Sequence, residues 1–253
     1  MNKLFTYWLG IFVVLVPLGH AQTTYDWLDT APDGNWSQGA AGARWSGGFW
    51  DVPPSTGILR FNNNHQLTML NNAVGYNVNE LLFDSGNTSA RTIGGNDLAF
   101  FNFGAFDPEI INNSTASHII NLNITGDNDN TFQIGANSGD LTFGGTFNNN
   151  GSAIRVYSTG GHDVQFNGVI SGGGGLTLDG NTIVHLNNAH TYSGNTTVNA
   201  GTLLFETGGT AANSTLLLGN TSGSEQASIL AVGGTYGNNI TVRSGNNGTM
   251  TIG

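Results

Sequence analysis

The segment Phe166–Glu206 reads FNGVISGGGGLTLDGNTIVHLNNAHTYSGNTTVNAGTLLFE, and its rhythm decides the fold. Apolar and polar residues alternate in Leu176–Leu178, Ile183–Leu186 and Leu203–Phe205, the period-two signature of a β-strand. Gly and Asn fill the text between them and accept positive φ at little cost. No helical apolar period runs over three turns. A strand that buries every second side chain turns Leu176, Leu178, Val184, Leu186, Val198, Leu203 and Phe205 inward. Thr196, Thr197 and Thr202 are β-branched and suit strands. Tyr192, before Ser193 and Gly194, is expected at a turn with its ring covering a coil edge.

The same alternation extends in both directions. It is found at Ile120–Thr125, Ile154–Tyr157, Val164–Phe166, Leu216–Leu218, Ile229–Val232, Ile240–Val242 and Met250–Ile252. Such closely spaced short strands fit either an antiparallel sandwich or a solenoid. Three features favour the solenoid. Asn runs recur at Asn62–Asn64 and Asn148–Asn150, and Asn stacks on itself through amide ladders. Charges are sparse. The turns resemble one another, as in a repeat array.

The stretch also resembles a known family, the autotransporter-associated β-strand repeat of bacterial surface and secreted proteins. That pattern is a Gly-rich turn, a Leu-Thr strand, a second Leu-containing strand, then Asn-x-Tyr-[ST]-Gly-x-Thr-x-[VI]-x-x-Gly-x-Leu. Gly172–Gly175 supplies the turn and Leu176 opens the first strand; Thr182–Leu186 is the second. Tyr192, Gly194, Thr196, Val198, Gly201 and Leu203 match the most specific segment. Two departures stand out. Leu178-Asp179-Gly180 replaces the usual Lys-x-Gly-x-Gly, and His190 stands where a small polar residue is common. Leu82–Leu98 is a looser match, and Gly34-Asn35-Trp36 is similar to the opening of such proteins. The resemblance implies a right-handed parallel β-helix, all-β, and implies no enzymatic activity.

Composition narrows the function. Of 253 residues only 9% are charged, against roughly 25% in an ordinary domain. Lys and Arg total 6, Asp and Glu 16, for a net charge of −10, which excludes a nucleic-acid binder that must displace counterions from phosphates. Gly is abundant, at 39, but lacks the collagen period. A hydrophobic share of 38% argues against disorder. Residues 1–21 read as a secretory leader, with Lys3, an apolar Trp8–Leu18 run and a small-x-small site at Gly19–Ala21. That run is shorter than the ~20 residues of a membrane span. Without Cys there is no lipid attachment and no disulfide. Removing the leader removes the only Lys and leaves five Arg (Arg44, Arg60, Arg91, Arg155, Arg243) against sixteen carboxylates, net −11. Residues 22–61 form a Trp-rich N-terminal cap, and 62–253 the β-helix repeat region. The pattern stops inside a strand at Thr251–Gly253, which reads as truncation at the C-terminus. The resemblance then allows an outer-membrane barrel encoded downstream.

Candidate sites each have a plain alternative. Trp27, Trp36, Trp45 and Trp50 could stack on a glycan; at the start of a solenoid they fit a cap better. Asp127 and Asp129, with Asn128 between them, could hold Ca²⁺, but the downstream Glu of known loops is missing and a polar turn fits better. Gly172–Gly175 lacks the Lys-[Ser/Thr] and helix of a phosphate loop. Gly161-His162-Asp163 invites comparison with β-helical polysaccharide hydrolases, yet the processed chain has no Lys and Arg155 is the one nearby cation. His65, His118, His185 and His190 show no metal-ligand spacing, and no Gly-x-Ser-x-Gly elbow occurs. The sequons at Asn35, Asn87, Asn195 and Asn239 read as turns rather than glycan acceptors. The expectation is a structural or adhesin-like protein without cofactor or catalysis. It would be secreted or lie at the outer membrane of a Gram-negative-type bacterium, meeting surface glycans or other cell-surface molecules by many weak contacts. The alternative is a carbohydrate-binding or polysaccharide-active β-helix.

Overall fold

The computed structural model is a parallel β-helix of about eight turns. It describes residues 22–28, 33–36, 44–46, 57–128, 131–233 and 236–253. The leader at 1–21, Trp50 and Asp129 lie outside them. Three parallel sheets form the walls. The first has ten strands: Thr24–Asp26, Ile58–Phe61, Glu80–Phe83, Glu109–Asn112, Phe132–Ala136, Ile154–Ser158, Leu176–Gly180, Thr196–Val198, Leu216–Leu218 and Ile240–Val242. The second has nine: Thr68–Asn71, Thr92–Gly95, His118–Ile120, Leu141–Phe143, Val164–Phe166, Ile183–Leu186, Gly201–Phe205, Ala227–Ala231 and Met250–Ile252. The third, with five short strands, runs from Asn77–Val78 through Leu98–Phe100, Ile124–Thr125 and Phe147–Asn148 to Ile170–Ser171.

The coils up to Ile170–Ser171 visit all three sheets in turn and the later ones only the first two, and a residue pairs with its counterpart in the next coil. One inward column of the first sheet is Leu59, Leu81, Ile110, Ile134, Val156, Leu178, Val198 and Leu218. All eight are fully buried. So is every residue assigned inward from the sequence between Leu176 and Phe205. Rings stack along the core axis: Phe61 on Phe83 at 5.3 Å, Phe83 on His118 at 4.2 Å, and Phe143 on Phe166 at 5.1 Å.

Two expectations need correction. Ile120–Thr125 is not one strand. Ile120 ends a strand of the second sheet, Ile124 begins one of the third, and Leu122 fills the bend between them, buried. A corner that keeps its apolar residue inside mimics alternation. Tyr192 does not cover an edge. Its ring is fully buried, and its hydroxyl lies 2.6 Å from Thr196 Oγ1, which lies 2.7 Å from Ser214 Oγ. Ser214 donates to the Gly194 carbonyl at 2.8 Å, so the chain of donors runs from Tyr192 through Thr196 and Ser214 to the backbone. Burial pushes the phenol up to about 12. The Trp-rich segment joins the sheets. Thr24–Asp26 pairs in register with Ile58–Arg60, and Asn35 bridges to Leu70.

Asn mostly serves turns rather than ladders. Asn137 donates to Asn113 at 2.9 Å and Asn187 to Asn167 at 2.5 Å. The buried amides of Asn71, Asn79 and Asn112 instead donate to backbone carbonyls around the corners.

Phe166→Ala is expected to cost about 3–5 kcal/mol in chemical denaturation, while outward-facing Thr177→Ala costs under about 1 kcal/mol. Tyr192→Phe, which leaves buried Thr196 Oγ1 without its donor, should cost about 1 kcal/mol in the same measurement.

Candidate functional site

In-register parallel pairing sets equivalent residues ~4.8 Å apart, so outward side chains of neighbouring coils meet. On the outer face of the ten-stranded sheet, the register places Glu80 beside Glu109, Glu109 beside Gln133, and Gln133 beside Arg155. Glu80 is only 6% exposed although it points outward. Burial pushes its carboxyl up to about 8, and the neighbouring Glu109 adds to the rise. Glu109 is also raised, first by burial and then by Asp107, while its hydrogen bond with Glu80 acts the other way. Both carboxyls are raised, so the pair keeps a proton to higher pH than a free carboxyl would. Two ionised carboxylates at this spacing would repel.

Tyr157 closes over this pair from the side. Its ring lies across Gly135, where a Cβ would come within 2.8 Å of the ring, so any side chain there would push the ring aside. Burial raises the phenol pKa, and Glu109 adds to it. The Arg155 guanidinium sits 5.4 Å from the ring centroid. Arg155 Nε donates to Asp179 at 2.7 Å, and Asn199 donates to the other oxygen of Asp179 at 2.6 Å. Arg243 donates to Asn199 at 2.9 Å, and Gln133 to Asp107 at 3.0 Å. Arg155 also reaches Gln133 at 3.4 Å. A polar file thus runs from Asp107 to Asn199 across successive coils, and Arg243 joins it by reaching Asn199 over the intervening Leu216–Leu218 coil. Ion pairs this exposed add little stability; their effect is to hold the side chains in fixed positions.

Other candidates resolve differently. Trp27, Trp36 and Trp45 are at most 1% exposed, so their ring faces are not available to a sugar. Trp45 meets Trp27 and Trp36 edge-on at 5.1 and 5.9 Å, and all three indoles touch Phe61. They fill the N-terminal end of the core. Asp127 Oδ2 accepts the Asn102 N–H at 2.7 Å, and its carbonyl accepts from Ser152. Among the described residues no group of three or more His, Asp or Glu is placed to hold a metal. The Gly172–Gly175 turn packs against Asn149, whose Oδ1 accepts from Gly174 N at 3.0 Å. Gly175 and Gly194 mark close approach of backbones: a Cβ on Gly175 would sit 2.3 Å from the Asn195 carbonyl, and one on Gly194 would sit 2.4 Å from Gly175 N.

Two of the five Arg are interior, a fact the sequence did not disclose. Arg44 and Arg91 are fully buried. Arg91 donates to the carbonyls of Asn63, His65 and Gln66 and to Asn87 Oδ1, and lies over Phe61 at 5.0 Å. Its backbone N–H donates to His118 Nδ1 at 3.1 Å, so neutral His118 carries its proton on Nε2, facing Ser114 Oγ at 2.6 Å. Burial, with Arg91 adding, drops His118 to about 3; burial drops His190 to about 4. Asn87 is fully buried, which removes its sequon as a glycan acceptor. On the second sheet, His185 lies between Glu206 at 2.9 Å and Asp163 at 3.4 Å.

The Glu80–Glu109 pair was missed because its members lie 29 positions apart in the chain, and only the coil register joins them. Comparison with protein-family models, curated proteins and solved structures finds no match to this chain.

A carboxyl raised on folding stabilises below its unfolded pKa, and that stability is lost as pH climbs to its folded value. The two histidines act oppositely, losing stability as pH falls below ~6.5. The window from pH 6.5 to 8 therefore reads the Glu80–Glu109 pair free of the two histidines. Stability should fall there by about 2 kcal/mol, measured by urea unfolding at a series of pH values, and Glu80→Gln should flatten the slope.

Proposed function

We propose that this chain is a structural, adhesin-like β-helix of the autotransporter-associated repeat type, without catalytic activity. On this reading it is secreted or held at the outer surface of a Gram-negative-type bacterium, with a barrel encoded downstream as its membrane anchor. The observation that carries the proposal is the polar file from Asp107 to Arg243 on one outer face. Side chains already fixed by their neighbours lose little entropy on contact. Repeated along a stiff solenoid, they give many weak contacts that act together. Asn, Gln, Asp and Arg side chains suit hydroxyl- and amide-rich surfaces such as glycans. With Arg44 and Arg91 buried, still fewer cations are available to a nucleic acid.

A second reading, a polysaccharide-active protein, draws on the Glu80–Glu109 pair beside Tyr157. A carboxylic acid kept protonated near a carboxylate is the equipment of glycoside hydrolysis. These two carboxyls stand on directly paired positions of neighbouring strands and are coupled to each other, whereas that chemistry separates them by about 5 Å or more. We therefore read the pair as a contact between coils.

Beads coated with the full chain are expected to adhere to polysaccharide-coated surfaces. Arg155→Ala combined with Asp179→Ala should lower adhesion several-fold with an unchanged melt. Reducing-sugar release from the same polysaccharides should stay at buffer level; turnover that vanishes in Glu80→Gln would replace this reading with the second.

A further inference from the structure

The corners joining the first sheet to the second differ in length from coil to coil. Residues 159–163 make one corner and residues 219–226 another. Between them lie two short ones, 181–182 and 199–200. Two short corners flanked by longer ones leave a notch in the surface. Its volume is about 330 Å³, and it is lined by Gly180, Asn181, Ala200, Gly201, Glu225 and Gln226.

The floor is bare for a physical reason. Gly180 and Gly201 take φ of +124° and +83°, and a Cβ on Gly201 would sit 2.4 Å from the Thr182 carbonyl. Side chains cannot grow there, so the floor is glycine methylene and the Ala200 methyl. One wall carries the Asn181 amide; the 159–163 corner lies close behind it, since a Cβ on Gly161 would come within 3.2 Å of Asn181 Nδ2. The other wall carries Glu225 and Gln226, fixed to the floor where Gly201 N–H donates to the Gln226 carbonyl at 3.0 Å.

We propose that this notch is a binding site for a neutral sugar ring. A pyranose presents an apolar C–H face and a rim of hydroxyls. The floor meets the first, and the amides and carboxylate of the walls meet the second as donors and acceptors. The volume lies at the small end of ligand sites, which start at about 300 Å³. Among the described residues no basic side chain lines the notch, so a uronate or sulfated sugar would face Glu225 without compensation. An alkylammonium would use Glu225 alone, an exposed carboxylate that holds a cation weakly. A sugar uses both walls and the floor. The notch is separate from the Asp107–Arg243 file, so neither reading rests on the other.

The test is an amide-resolved NMR titration of the full chain with methyl glycosides of glucose, galactose and N-acetylglucosamine. Glucuronic acid and n-butylamine form separate arms. A neutral glycoside should saturably shift the amides of Gly180, Gly201 and Gln226. Ala200→Leu, at a position whose φ is not positive, should weaken binding by at least about tenfold, and Gln226→Ala should weaken it as well where leucine disturbs the fold. Glu225→Gln should retain binding, because a carboxamide still accepts from a hydroxyl. The proposal is overturned if these amides stay still with all three glycosides. It is also overturned if they shift more strongly with glucuronic acid, or only with butylamine in a manner lost in Glu225→Gln. Sugar binding that ignores both Ala200→Leu and Gln226→Ala would place the site elsewhere and overturn it too.

Discussion

Parallel in-register stacking is the constraint on which the rest of the molecule depends. Every residue of a coil faces the equivalent residue of the next coil one strand spacing away, ~4.8 Å. Like therefore meets like. Inside, this makes columns of aliphatic residues and stacked rings, each coil completing the burial of its neighbour. Where corners touch, it demands glycine. Gly175, Gly194 and Gly201 are glycine because neighbouring backbone leaves no room for a Cβ. The glycines of the sequence thus record where coils come closest.

The same constraint explains the scarcity of charge. A charged outward residue repeated from coil to coil would face its own kind. The chain handles this in two ways. The Glu80–Glu109 pair keeps a proton, and Arg155 beside Asp179 alternates sign. Elsewhere the outer positions are mostly Thr, Asn, Gln and Ser, which stack without a Coulomb penalty. Interior charge follows a different rule. Arg91 is surrounded by backbone carbonyls and an amide oxygen, partners available at a corner because the backbone turns there and frees its acceptors.

Strands were legible because period two is imposed by burial, and burial changes little along the sheet. Val164–Phe166, Ile183–Leu186 and Leu216–Leu218 fall where the alternation put them. Corners were not legible, because an apolar residue such as Leu122 can hold the rhythm while the chain changes direction. Composition changes at residue 61, while strand pairing runs through it from Thr24. The carboxyl pair was invisible because the rise from one coil to the next is not a fixed number of residues. Glu80 to Glu109 is 29, Arg155 to Thr177 is 22, and Thr177 to Thr197 is 20.

That irregular coil length is where individuality enters an otherwise repetitive fold. Strand register is held by the core, so extra residues can go only into corners. Long and short corners side by side give the surface relief that a uniform solenoid would lack. The burial pattern shows the other side of the same dependence. In the strand Ile240–Val242, the last of its sheet among the described residues, Val242 stands in the inward column above Leu218 and is 53% exposed. At the opposite end, Trp27, Trp36 and Trp45 fill the core over Phe61 and are buried. An inward position is therefore only half specified by its own strand; the other half is supplied by the neighbouring coil or, at the N-terminal end, by three indoles.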